Sequence, residues 1–115
     1  ELSGESLIEF HLLEDNRKEA FELVLESESL WKLRKYLEEV GDYDPGTYFE
    51  VYSNLLTDYL ASDTGRSHYR KVIGHLHELK KLELSDRLRE YVEFLKEENE
   101  NRPAFQDEIS SFRVR

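Results

Sequence analysis

An all-α fold follows from three features of the sequence. Apolar residues recur at helical spacing along the chain, no segment alternates with period two, and short turn signals separate the periodic stretches. Together they predict six to seven short antiparallel helices. These would stack as a tetratricopeptide-like solenoid of helical hairpins, or pack as an irregular bundle. No clean repeat of about 34 residues is visible. The pairing of "AFELVL" with "LWKL" is the one hint of a repeat.

The first helix is expected from Ser6 through Leu13. Ser6 and Glu9 fit a capping box, in which the Ser oxygen accepts from the third amide and the Glu reaches back. Asp15 and Asn16 break it, and Asn16 with Glu19 is placed to cap the second helix, whose apolar face is Ala20, Phe21, Val24 and Leu25. Ser27 and Ser29 punctuate the chain. Leu30, Leu33, Leu37 and Val40 then mark a third helix, with Trp31 and Tyr36 flanking the stripe. In "GDYDPG", Gly41 suits the left-handed residue that follows a helix. Asp44 and Pro45 read as an N-cap and a first-turn proline, where the missing N–H costs nothing.

The fourth helix carries Tyr48, Val51, Tyr52, Leu55 and Tyr59 on one stripe and Phe49, Leu56 and Leu60 on a second. So wide an apolar arc predicts burial against more than one neighbour. After "ASDTGRS", the fifth helix offers Tyr69, Val72, Ile73, Leu76 and Leu79. The sixth, from about Ser85, offers Leu88, Tyr91, Val92 and Leu95, with Leu84 just before it. Pro103 forbids its continuation. A short last helix holds Ala104, Phe105 and Ile109, with Phe112 close behind.

The 115 residues suffice for a single domain spanning 1–115, and the missing initial Met suggests a piece of a longer protein. An aromatic share of 12% argues against disorder, because disordered chains lack the apolar groups that offset ordering entropy. Apolar runs are too short to cross a membrane. Cysteine is absent, which removes disulfides, thiolate nucleophiles and cysteine-based zinc sites and fits a cytoplasmic location. The net charge of −10 is uneven. Residues 1–57 carry 14 acids and 5 bases, a net of −9; residues 58–115 carry 12 acids and 11 bases, a net of −1. The first half therefore repels phosphate backbones.

The histidines do not make a metal site. On a helix His75 and His77 point about 160° apart, and His68 lies two turns, about 10 Å, from His75. A metal pair on one helix needs i,i+3 or i,i+4 spacing. The two rings beside the stripe, His75 and His77, are expected to be half packed. The acids around "EEVGDYDPG" lack the ligand order of a calcium loop. No nucleophile motif or phosphate-binding glycine loop occurs. Gly74 stands in mid-helix, where it costs about 1 kcal/mol relative to Ala. No catalysis, cofactor or metal is expected.

Two sets of residues remain as candidate contacts. Arg66, Arg70, Lys71 and Lys81 form a basic stripe on the fifth helix, able to meet an anion or nucleic acid, although Glu78 and Glu83 dilute it. Trp31, Phe94 and Phe112 are large apolar side chains that would mark a partner surface if exposed.

"SHYRKVIGHLHELKKL", the helix after it and "LKEENENRPAFQDEI" resemble the C-terminal helical region of bacterial SWIM zinc-finger family proteins. The matching positions are Tyr69, Val72, Leu76, Leu79, Lys80, Lys81 and Leu82, then Arg102, Pro103, Ala104, Phe105, Asp107, Glu108 and Ile109. "EAFELVLESESLWKLRKYLEEV" is similar to that family's helical repeats. The zinc module itself, Cys-x-Cys…Cys-x-His, is absent, so its metal and any nucleic-acid role of that finger are not carried over. The resemblance implies a helical accessory domain with a partner-binding surface. The closing segment reads as a structural clasp, with Arg102 set to pair with Asp107 or Glu108. The expected function is a non-catalytic helical scaffold for protein–protein interaction. The alternative is an accessory domain of a nucleic-acid-associated protein, although the isolated domain is not expected to bind nucleic acid itself.

Overall fold

The structure, a computed structural model, describes residues 4–114. Among them it holds seven α-helices and no strand, as the periodicity predicts. Contacts divide the chain into two compact units, Glu1–Leu55 and Leu56–Arg115, and one helix, α4, runs through the boundary.

The first unit contains α1 (Gly4–Leu13), α2 (Arg17–Glu26), α3 (Leu30–Val40) and the first turns of α4 (Pro45–Ala61). α1 packs on α2, and α2 on α3. The core is built from Ile8, Ala20, Phe21, Val24, Leu33, Tyr36, Leu37 and Val40, joined by Tyr48, Phe49 and Tyr52 of α4. Each large side chain removed from water stabilises the fold by about 1.5–3 kcal/mol. Polar groups on these rings find partners. The Tyr48 hydroxyl donates to the Leu33 carbonyl at 2.5 Å, and the Tyr36 hydroxyl donates to Glu9 Oε2 at 2.7 Å.

Several local expectations are corrected. Ser6 lies inside α1, which already runs at Gly4, so it does not cap the helix. Glu9 turns instead to Tyr36 on α3. Asn16 precedes α2 but makes no side-chain cap; its Nδ2 meets His11 Nδ1 at 3.3 Å. Gly41 is buried and right-handed (φ −59°), because α3 tightens there into a 3-10 turn over Gly41–Tyr43. The left-handed residues are Asp15, Glu28 and Glu83, at φ 57°, 50° and 59°. Asp15 belongs to a Schellman closure: the Asn16 amide donates to the His11 carbonyl at 2.7 Å and the Asp15 amide to Leu12 at 3.2 Å. The caps expected at Asp44 and Pro45 are present. Asp44 Oδ1 accepts from the Thr47 amide at 3.2 Å, and Pro45 opens α4. Ser29 likewise caps α3 by accepting from the Lys32 amide at 3.3 Å.

The second unit contains the last turns of α4, α5 (Arg66–Leu79), α6 (Ser85–Glu98) and α7 (Pro103–Ile109). α5 packs on α7, where Tyr69 meets Phe105 edge-on, ring centres 5.5 Å apart. Leu56, Leu60, Val72, Leu76, Leu79, Leu88, Leu95, Phe105 and Ile109 complete the core. Tyr91 is only partly buried, and its hydroxyl pairs with Thr57 Oγ1 at 2.9 Å. Gln106 Nε2 donates to the carbonyls of Lys96 and Asn99, at 3.0 and 2.9 Å, and so closes the C-terminal end of α6. Helix ends leave carbonyls without partners, and a side-chain amide is one way to satisfy them.

Candidate functional site

The basic stripe resolves into ion pairs within the second unit. Arg66 Nη1 donates to Asp107 Oδ2 at 2.7 Å and to Glu108 Oε2 at 2.9 Å. These bonds, with Asp107 first, raise the guanidinium above its ordinary pKa. Arg70 Nε donates to Glu108 Oε1 at 3.4 Å. Lys81 pairs with Glu78 at 3.2 Å. The clasp on α7 is therefore made by Arg66 and Arg70 from α5. Arg102, expected to pair with the same carboxylates, instead donates to the carbonyls of Leu60 and Asp63, at 3.0 and 3.3 Å. Carbonyls at a helix end attract a cation for reasons of both hydrogen bonding and dipole.

Lys71 stands apart from the clasp. It lines a shallow cleft of about 290 Å³ with Tyr59, Ser62, Asp63, Thr64, Ser67 and His68. The hydroxyls there serve the local backbone: Ser62 Oγ donates to Tyr59 at 2.6 Å, and Asp63 Oδ1 accepts from the Thr64 amide at 2.7 Å. A second cleft, about 330 Å³, lies between α6 and the segment after α7; Arg89, Glu93 and Lys96 rim it. Arg89 pairs with Asp86 and Lys96 with Glu93.

The three histidines of α5 differ in burial. His68 and His75 are both buried and share Tyr59, at ring distances of 4.6 and 6.0 Å. His68 Nε2 lies 3.2 Å from the Leu60 carbonyl. His75 is thus more enclosed than its place at the stripe edge suggested. His77 is exposed and meets Phe112 in a T-shaped contact, ring centres 4.9 Å apart. Among the described residues, no three His, Asp or Glu side chains are grouped to hold a metal ion, and no buried side-chain nitrogen or oxygen lacks a hydrogen-bond partner.

The apolar candidates divide. Trp31 is 60% exposed and Phe94 is 46% exposed. Phe94 stacks on Tyr91, with planes 18° apart. Phe112 is buried, a correction to its place among surface candidates. The chain turns back after α7 and lays its ring against His77, with Lys80 Nζ 5.5 Å above it.

Trp31 sits on a built surface. Lys35 Nζ lies 4.9 Å above its ring and 5.4 Å from that of Tyr36, while donating to Glu5 Oε2 at 2.7 Å. The hydrogen bond to Glu5 raises the Lys35 pKa above its ordinary value. Glu5 and Glu9, one turn apart, thus both accept from α3 and set the rotation of α1.

That rotation turns two further large apolar side chains outward, Phe10 at 49% and Leu13 at 85% exposure. They were missed as contact residues. The signal was in "GESLIEFHLL": with about 100° per residue, Leu7, Ile8, Phe10, Leu12 and Leu13 cannot share one face. Only Ile8 is fully buried. No family model, curated protein or solved structure matches the chain. Among the described residues, no helix is long and apolar enough to cross a membrane.

Proposed function

We propose that this chain is a non-catalytic helical interaction domain that works by docking a protein partner in the cytoplasm. The observation that carries this is the exposure of Phe10, Leu13 and Trp31 on the first unit. Large apolar side chains held in water are the usual mark of a contact surface. Aromatic anchors such as Trp also concentrate binding energy at interfaces. The polar chemistry points the same way. The charged side chains of the clasp are spent on helix packing, and the buried polar groups serve structural hydrogen bonds. The resemblance to the helical region of SWIM zinc-finger proteins is in keeping with an accessory role. Its matching positions are packing ones here: Tyr69, Val72, Leu76, Leu79, Phe105 and Ile109 lie in the core.

The test is affinity capture from the source cells with the native chain and with a Phe10→Ser/Leu13→Ser/Trp31→Ala variant. Partners retained by the native chain and lost by the variant are expected. Equal recovery by both, or turnover of a small substrate by the purified chain, overturns the proposal.

A further inference from the structure

The first unit narrows the class of partner, and this deepening rests on the interaction proposal above. Ile8 and Leu12 mark the inner face of α1, with Ile8 fully buried and Leu12 partly so. At about 100° per residue, Phe10 and Leu13 lie near the middle of the opposite face. Glu9, whose Oε2 also accepts from Tyr36 of α3, flanks that pair on one side, and Glu14, just past the helix end, flanks it on the other; both are exposed. No Lys or Arg occurs before Arg17. The outer face of α1 is thus a short apolar ridge between two carboxylates, with Asp15 beyond them.

A ridge of this form selects by charge. A second copy of the chain would set Glu9 and Glu14 against their own like, which disfavours self-association. An acidic peptide or a phosphate backbone meets the same repulsion, strengthened by the net −9 of residues 1–57. An amphipathic helix with an apolar stripe flanked by Lys or Arg answers both features at once: its stripe covers Phe10 and Leu13 while its cations meet the flanking carboxylates. Apolar seams bordered by complementary charges are how helix pairs fix their partners. We infer that the outer face of α1, centred on Phe10 and Leu13, is a docking site for a cationic amphipathic helix of a partner protein.

The probe is a synthetic peptide of about three heptads, leucine at the a and d positions and lysine elsewhere. It is titrated into the whole isotopically labelled chain and followed by amide shifts and by anisotropy of a dye on the peptide. One control is a scrambled peptide of the same composition, and another carries glutamate in place of lysine. The amphipathic lysine peptide is expected to bind with shifts centred on α1, and each control to bind at least about tenfold more weakly. Phe10→Ser and Leu13→Ser each reduce affinity by about fivefold or more, and Glu14→Gln by about threefold with a flatter salt dependence. These side chains are exposed, so circular dichroism of the variants stays native.

Equal binding of the scrambled peptide shows charge attraction without a seam and overturns the site. So does binding that ignores both serine variants, or no binding by any peptide. Shifts centred on Trp31 and abolished by Trp31→Ala overturn the assignment to α1 and leave the interaction proposal standing. That broader proposal falls on the capture experiment or on turnover of a small substrate, as stated above.

Discussion

Tyrosines show how single residues hold this fold. Burial first, and then hydrogen bonding to Glu9, raises the pKa of the Tyr36 phenol well above the ordinary value near 10. Burial raises those of Tyr48 and Tyr91 too; the bond to Thr57 opposes the shift at Tyr91 only in part. A folded-state pKa raised above the unfolded one binds a proton more tightly in the fold. Its stability is therefore fully present below about pH 10 and lost as pH rises beyond that. Alkaline titration followed at 295 nm is expected to show a late-ionising class of tyrosines, whose appearance coincides with loss of helical circular dichroism. Ionisation of every tyrosine near pH 10 with the helices intact would refute this. Tyr48→Phe removes only the bond to the Leu33 carbonyl and is expected to cost about 1 kcal/mol in urea unfolding. Sequence placed Tyr36 and Trp31 alike, at the flanks of one stripe. Their different fates depend on Glu5 and Glu9 of α1, partners 30 and 27 residues upstream of Lys35 and Tyr36. Spacing within one helix carries no trace of such a pairing.

Helices and their inward faces were legible because period 3.6 is a local property. Leu33, Leu37 and Val40 are buried as their spacing predicts, and so are Tyr69, Val72, Leu76 and Leu79. Their ends were less legible. Gly41 stands where a left-handed closure is expected and is right-handed, while Asp15, Glu28 and Glu83 adopt that conformation without being glycine. A Cβ makes it unfavourable, by about 1–2 kcal/mol. Glu83→Gly is thus expected to raise stability by about 0.5–1 kcal/mol in chemical denaturation, although glycine is otherwise the more flexible residue. Gly65, just before α5, has φ 105°, and open space surrounds the position a Cβ would take. Gly65→Ala is expected to destabilise by about 1 kcal/mol or more, through backbone strain with no clash. An unchanged midpoint for either substitution contradicts the assignment. The outward ridge on α1 escaped the sequence reading for a related reason. Apolar residues all around a helix show that some must be exposed, but neighbouring elements decide which.

Charge acts at the scale of the molecule. Half of the chain carries nearly all of the net charge: −9 over residues 1–57 against −1 over the rest. Repulsion among like charges destabilises a compact state, and salt screens it over about 8–10 Å. Raising sodium chloride from about 20 to 500 mM is expected to raise the thermal midpoint by about 4 °C, a change on the order of 1 kcal/mol. A midpoint that falls instead would show that the ion pairs outweigh the repulsion. The pairs themselves are exposed and weak, so Arg66→Ala is expected to leave the thermal midpoint nearly unchanged. Phe105→Ala, which empties the α5–α7 seam, is expected to cost about 3–5 kcal/mol. Both the total charge and its division can be counted from the residues. Which cation would face which carboxylate across α5 and α7 could not, because that depends on how the two helices meet.

Near the end of α4, the Leu60 carbonyl faces two nitrogen groups, Arg102 Nη1 and His68 Nε2. A carbonyl offers lone pairs and no hydrogen, so the ring nitrogen beside it must be the protonated one. Nε2 of His68 is thereby held as the donor to Leu60, and its imidazole nitrogens become a pair of built-in spectroscopic reporters on whether this junction is closed.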